Sequence, residues 1–149
     1  MSNSLYRNRP FCSVLLPITS ATKSGKRRRA ALALQRDSRY DVELEIADVA
    51  NERAYLNLLA VYWKTRNNLL VLEDSANPTK GHLVEMLLCS EEWCVLQNEA
   101  VSEKFDCVKF HGKLLQKHPN AIAEQEGNVW KRVVLAMDKL GIKPHIHEL

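Results

Sequence analysis

Apolar side chains recur at three- and four-residue steps in three long segments, and this spacing constrains the fold more than any other feature. Tyr55 and Leu59 belong to such a stripe in the segment 46–67, and similar stripes occupy 80–100 and 122–140. Spacing of this kind is typical of helices that bury one face. A chain of 149 residues with 46% apolar content can bury one sizeable core by itself. The pattern therefore predicts one mainly α-helical domain.

The ends of the predicted helices carry recognisable start and stop residues. Thr79 is predicted to be the N-cap of the helix over 80–100, because its hydroxyl can accept a hydrogen bond from a first-turn N–H. Pro119 suits the first turn of the last helix, where a missing N–H costs nothing. Gly141 is predicted to end that helix, and Pro144 prevents its continuation.

Two segments have patterns other than a long helical stripe. Two short apolar runs, 105–110 and 113–115, flank Gly112 and predict a small β-hairpin. The uniform run Leu69–Leu72 is too short to assign by its period, so it either extends the preceding helix or forms a brief buried segment. A further short helix is predicted from Arg27 to Arg36, where Arg, Ala and Leu dominate.

Charge is distributed unevenly along the chain. Residues 1–40 contain nine Lys and Arg and one acidic residue, whereas the remainder contains 12 basic and 17 acidic residues. We therefore expect a flexible basic N-terminal arm over 1–25 and a single helical domain over 26–149. A basic arm on an acidic body favours a polyanionic partner, with a merely solvated tail as the alternative. The predicted contacts to DNA phosphates are Lys23, Lys26, Arg27, Arg28, Arg29, Arg36 and Arg39.

No constellation in the sequence predicts catalysis. The five glycines are scattered singly, so there is no glycine-rich phosphate loop. Cys107 and His111 could act as nucleophile and base, but four positions along a strand separate them by about 13 Å. We therefore predict that the chain is not an enzyme and uses no cofactor.

The cysteines and histidines also fail to match the usual spacing of a metal site. His145 and His147 would point the same way in an extended tail, with Cys107 or Glu148 as further ligands. Cys89 and Cys94 are five apart on a predicted helix, and no Cys-x-x-Cys occurs. We predict no metal, and we expect all four cysteines to be reduced thiols.

Nothing in the sequence predicts a membrane segment or an export signal. No apolar run approaches the ~20 residues that a spanning helix needs. The apolar stretch 11–18 precedes the basic run rather than following it, which is the wrong order for a signal peptide. The expectation is a cytoplasmic protein.

Three motifs in the C-terminal half occur in a characteristic order. They are Leu83-x-x-x-Leu87-Leu88-Cys89-x-x-x-Trp93, then Gln116-Lys117-His118-Pro119-Asn120, then Leu140-Gly141-Ile142-Lys143-Pro144. In this order, over roughly residues 80–149, the chain resembles the small terminase subunits of tailed bacteriophages. The ending His145–Leu149 departs from the Arg-rich ending that is usual in that family.

The resemblance implies a non-catalytic subunit that binds double-stranded DNA, assembles as a homo-oligomer and loads the large terminase subunit in the host cytoplasm. A basic arm and several apolar helix faces are compatible with those roles. One alternative is a small phage or mobile-element module that binds and inhibits a host protein. A helix-turn-helix repressor fits less well, because about nine residues join the first two predicted helices instead of the three to four of that motif.

Overall fold

The chain folds around a six-stranded mixed β-sheet with helices on both faces. This computed structural model describes residues 11–18, 26–73, 78–97, 107–123 and 128–148. The architecture is α/β, so the prediction of a mainly α-helical domain with a small hairpin is wrong.

Strands and helices alternate through most of the chain. In order they are β1 (Cys12–Ile18), α1 (Lys26–Arg36), β2 (Val42–Asp48), α2 (Glu52–Thr65), β3 (Leu69–Leu72), α3 (Lys80–Leu87), β4 (Trp93–Gln97), β5 (Cys107–Phe110), α4 (Gly112–Lys117), α5 (Val129–Leu140) and β6 (His145–Glu148). Alternation of this kind is what places helices on the two faces of a largely parallel sheet.

The strand order across the sheet is β2-β1-β3-β5-β4-β6. β1 lies parallel to both β2 and β3, and β4 lies parallel to β6. Only β5, among the described strands, runs in the opposite direction, between β3 and β4. The carboxyl ends of the other five strands therefore meet at one edge of the sheet.

The stretch predicted to be a flexible arm contains an inner strand of the sheet. β1 is buried along nearly its whole length, with Val14 beside Leu44 on one side and Leu70 on the other. A parallel strand covered on both faces is apolar without alternation, so no period reveals it. The prediction of an arm is wrong over 12–18, whereas 1–10 and 19–25 lie outside the described residues.

Two of the predicted long helices overlap strands, because short buried strands are also apolar without alternation. The helix expected over 80–100 ends at Leu87, and Trp93 begins β4. The helix expected over 46–67 is preceded by β2 and covers only Glu52–Thr65. Leu69–Leu72, which the sequence left open, is the buried strand β3.

The predicted β-hairpin does not form. β5 covers its first run, but it pairs with β3 and β4, while Lys113–Leu115 lies in helix α4. Residues 145–148, expected to be an exposed tail, form β6 at the edge of the sheet.

Two of the three predicted helix ends are confirmed, at Thr79 and Gly141. The third is wrong, because the last helix begins at Val129 with Asn128 as its N-cap, and Pro119 lies in a turn well before it. Thr79 is the N-cap of α3, where its hydroxyl accepts from the N–H of His82 and the His82 ring bonds back to the Thr79 N–H. Gly141 ends α5 in the left-handed conformation, with φ 71°. The short helix predicted from Arg27 to Arg36 is α1.

The core consists of one apolar layer on each face of the sheet. Helices α1 and α3 pack on one face, and α2, α4 and α5 pack on the other. The three tryptophans all lie against the ring of Phe110 in the second layer, with centroid distances of 4.7 Å for Trp63, 6.3 Å for Trp93 and 6.5 Å for Trp130.

Gly112 marks a close approach between the start of α4 and the segment before β3. A Cβ on Gly112 would lie 2.2 Å from the backbone oxygen of Asn67, which cannot move freely. We expect Gly112→Ala to lower the free energy of unfolding by about 1–3 kcal/mol, measured by urea denaturation.

Gly81 provides the matched control for that change. A Cβ there meets nothing closer than the Thr79 hydroxyl at 3.6 Å, so Gly81→Ala should stabilise helix α3 by about 0.5–1 kcal/mol. Equal effects of the two substitutions would contradict the close approach at Gly112.

Candidate functional site

The sheet has a topological switch point between β1 and β3. The connection through α1 takes the chain from β1 to β2 on one side, and the connection through α2 returns it to β3 on the other side. Because these two helices cover opposite faces, the topology predicts a crevice at the carboxyl ends of β1 and β3. Ligands of open α/β sheets bind in such a crevice.

Arg27 joins the two strand ends at this crevice. Its Nη1 donates to the carbonyl of Leu72 at 2.7 Å and its Nη2 to the carbonyl of Pro17 at 2.8 Å. The residue is 1% exposed, because the second position of α1 directs it against the sheet. It therefore fixes the start of α1 at the switch point. The contact of Arg27 with DNA phosphates stays an untested prediction, and two of its guanidinium nitrogens are engaged inside the fold.

Three other basic residues surround Arg27 in the first turn of α1. Lys26, Arg28 and Arg29 are all exposed. Their positive charge adds to that of the helix N-terminus, whose unpaired N–H groups attract anions. The first turn of α1 therefore places three exposed cations beside the carboxyl end of β1.

The remaining predicted phosphate contacts lie elsewhere. Arg36 ends α1, about 14 Å from Arg27 along the helix axis. Arg39 pairs with Asp37 at 2.7 Å, and Lys80 pairs with the same carboxylate oxygen at 2.7 Å. Hydrogen bonds from these two cations hold the pKa of Asp37 well below its usual range. Lys23 lies outside the described residues.

Glu73 follows β3 directly and is held at the other side of the crevice. The hydroxyl of Tyr55 donates to its Oε1 at 2.5 Å, and the indole N–H of Trp130 donates to the same oxygen. Burial, together with the neighbouring Glu73 carboxylate, raises the pKa of Tyr55 far above its ordinary value, so Tyr55 stays a donor. Helices α2 and α5 thereby fix an acidic side chain at the end of β3.

Glu73 and its two hydrogen-bond donors are absent from the residues that the sequence predicted to be functional. Glu73 is the first polar residue after the apolar run 69–72, and that position was the available signal. The run was too short to be recognised as a parallel strand, so the significance of its carboxyl end was missed. Tyr55 and Trp130 were assigned to apolar stripes, and nothing in their spacing indicates that both reach Glu73.

A concavity of about 940 Å³ lies at the amino edge of the sheet. Its lining includes Phe11 and Asn68, which precede β1 and β3, and Arg66 and His111. Arg66 is already paired with Glu45 at 2.9 Å. The switch point lies at the opposite edge, where the strand order, the helix N-terminus and the exposed cations coincide, and is the stronger candidate site.

Comparison with solved structures agrees with this architecture. A protein from Desulfovibrio desulfuricans G20 described as a nucleotide-diphospho-sugar transferase superposes with a TM-score of 0.58, at 10% identity, over 93% of this chain and 80% of that one. A 4-diphosphocytidyl-2C-methyl-D-erythritol synthase from Anaerococcus prevotii gives 0.57, at 8% identity, over 93% and 89%. No protein-family model and no curated protein matches the chain.

These neighbours correct the functional prediction. The chain shares its α/β fold with two proteins that are described as a transferase and a synthase. The predictions of a non-catalytic, DNA-binding terminase subunit and of a small host-binding module are therefore wrong. The homo-oligomer, double-stranded DNA and the large terminase subunit as partners stay untested predictions, as does the cytoplasmic location. Within the described segments, no helix has both the length and the apolarity to cross a bilayer.

Proposed function

We propose that the chain is a transferase that binds a nucleoside diphosphate, as part of an activated donor, in the crevice between β1 and β3. The observation that carries this proposal is the switch point itself, where Arg27 joins the strand ends, exposed cations lie on one side and Glu73 lies on the other. The fold shared with two enzymes that act on nucleotide-activated substrates supports the proposal.

The basic turn of α1 provides the interaction with the diphosphate. A guanidinium group can donate two parallel hydrogen bonds to one phosphate, and the N–H groups at the helix N-terminus are further donors. The polyanion predicted from the basic residues is thus a nucleotide rather than a nucleic acid. Because Arg27 is buried, Arg28 and Arg29 are the cations that we propose contact the diphosphate.

Glu73 provides the complementary acidic group. Mg²⁺ is usually bound through one or two carboxylates together with substrate phosphates, and Glu73 fits as one such ligand. When bound, the cation would neutralise charge on the diphosphate leaving group. Tyr55 and Trp130 keep the Glu73 carboxylate at a fixed position, which is what preorganised binding requires.

The proposal predicts binding of free nucleoside diphosphates. In a titration with CDP, UDP, GDP and ADP in the presence of Mg²⁺, at least one should bind and change the fluorescence of Trp130, whose indole contacts Glu73. The double substitution Arg28→Ala/Arg29→Ala should weaken that binding at least about tenfold, since each charged hydrogen bond contributes about 1.5–3 kcal/mol.

Arg36→Ala is the control, because it removes an exposed arginine from the other end of the same helix. It should leave the nucleotide affinity unchanged. Failure of all four nucleotides to bind at millimolar concentration would contradict the proposal. An equal loss of nucleotide affinity in Arg28→Ala/Arg29→Ala and in Arg36→Ala would also contradict it.

A further inference from the structure

Three potential metal ligands come together on the α1–α3 face of the sheet. Cys89 follows α3, Cys94 lies in β4, and His147 lies in the edge strand β6. Two sulfur atoms and one ring nitrogen lie within 4.8 Å of one another. Within the described residues, this is the one group of three such side chains that converge.

The environment of His147 indicates that its ring is prepared for a ligand. The residue is 5% exposed, and its Nε2 is buried without any hydrogen-bond partner. Its Nδ1 lies 3.0 Å from Oε1 of Glu85 on helix α3. Leaving a buried ring nitrogen unpaired costs free energy, so an orphaned Nε2 beside two sulfurs calls for an explanation.

We propose that Cys89, Cys94 and His147 bind one zinc ion, through the two sulfurs and Nε2, with Glu85 as the outer carboxylate that orients the histidine. Two thiolates and an imidazole are the donors that Zn²⁺ prefers. A carboxylate on the second ring nitrogen is the usual partner of a zinc-bound histidine. Cys89 is partly exposed, so water can complete the tetrahedron.

The distances suit a tetrahedral centre after a small closure. Zinc–sulfur bonds of about 2.3 Å place tetrahedral ligand atoms roughly 3.7 Å apart. The observed limit of 4.8 Å therefore requires a movement of about 1 Å, which rotation of the partly exposed Cys89 side chain would supply. Binding removes one proton from each thiol, while the Nδ1 proton remains donated to Glu85.

The backbone at Cys89 is held by the buried side chain of Lys109. Its ammonium donates to the carbonyl of Cys89 at 2.5 Å, and Lys109 is 1% exposed in β5.

The site was not visible in the sequence. Glu85 and His147 are 62 positions apart, and the two cysteines were assigned to one helix. In the structure α3 ends at Leu87, so the turn into β4 brings the two sulfurs together. The cluster lies near the start of β4, at the edge away from the proposed nucleotide crevice, so it is independent of the proposed function.

The test is zinc binding by the reduced full chain under anaerobic conditions. We expect one zinc per chain by elemental analysis, and a thiolate-to-cobalt charge-transfer band when Co²⁺ replaces it. Cys89→Ser and His147→Gln should weaken zinc affinity, measured by competition with a chromophoric chelator, by more than the 10–100-fold that is typical of outer carboxylates. Glu85→Ala should fall within that 10–100-fold range.

Two controls keep the test decisive. His145→Gln alters the neighbouring histidine on the same strand and should leave zinc affinity unchanged, as should Cys12→Ser. Zinc in about 100-fold excess over its Kd should raise the Tm of the wild-type chain by roughly 5–10 °C and leave that of Cys89→Ser unchanged. Because Cys89 and Glu85 are not in the core, their variants should fold.

Three results would overturn the proposal. One is the absence of stoichiometric zinc in the reduced wild-type chain. Another is zinc affinity in His147→Gln equal to that in His145→Gln. The third is a Cys89–Cys94 disulfide, found by mass spectrometry under non-reducing conditions, in a chain that binds no zinc once it is reduced.

Discussion

Replacing Arg27 by methionine is expected to lower the free energy of unfolding by about 3 kcal/mol or more. The guanidinium makes two charge-assisted hydrogen bonds to the ends of β1 and β3, each contributing about 1.5–3 kcal/mol. Methionine fills a similar volume but donates nothing, so the carbonyls of Pro17 and Leu72 lose their donor. Urea denaturation monitored by circular dichroism measures the difference.

Arg28→Met is the matched control for this substitution. Arg28 adjoins Arg27 in the first turn of α1 and is exposed, so its replacement should change stability by no more than about 0.5 kcal/mol. If both variants unfold at the same urea concentration, the strand-joining role of Arg27 is wrong. Arg27→Met should also weaken nucleotide binding, because the start of α1 would lose its anchor on the sheet.

Replacing Trp63 by alanine is expected to cost about 3–5 kcal/mol. Trp63 is 1% exposed on helix α2, and its ring packs at 4.7 Å from that of Phe110. Its indole N–H donates to the carbonyl of His118 at 2.8 Å, which ties α2 to the end of α4. The substitution thus removes a large buried ring and leaves a carbonyl without its donor.

Two further variants separate the loss of the buried ring from the loss of the hydrogen bond to His118. Trp63→Phe keeps an aromatic ring on Phe110 but removes the donor to His118, so its loss should be smaller than that of Trp63→Ala. Val61→Ala lies on the same helix at a residue that is 55% exposed, and it should be almost neutral. A near-neutral Trp63→Ala would contradict the packing described for this layer.

The parts of the fold that the sequence predicted correctly are those specified by local chemistry. Thr79 and Gly141 were recognised because a capping hydroxyl and a left-handed glycine act within one helical turn. Helix α1 was recognised from its helix-favouring composition. In each case the signal and the structure involve the same few residues.

The strands were missed because their signal depends on distant residues. β3 and β4 are short and apolar on both faces, and such runs cannot be distinguished from buried helix by period alone. Trp93 happens to fall at helical spacing from Met86 and Cys89, and this coincidence extends the predicted helix through a turn. Correct assignment of β1 required its neighbours β2 and β3 to be known.

The same limit applies to the candidate site. The basic residues of α1 predict an anion-binding surface, but charge alone does not specify which anion binds. Arg27 cannot be distinguished from Arg28 and Arg29 in the sequence, and only the packing of α1 on the sheet buries it. Glu73 is positioned by the end of β3 and by hydrogen bonds from α2 and α5.

The position of β1 within the sheet bears on how the chain folds during synthesis. β1 needs β3, and the side chain of Asn68 donates to the carbonyl of Phe11 across 57 positions. Likewise, β4 cannot pair with β6 until residues 145–148 have been synthesised. Contacts of such long sequence separation slow folding, because loop-closure entropy is lost before they form. We expect a nascent chain that stops before β3 to remain sensitive to protease, and protection to appear only after residues 69–72 have left the ribosome.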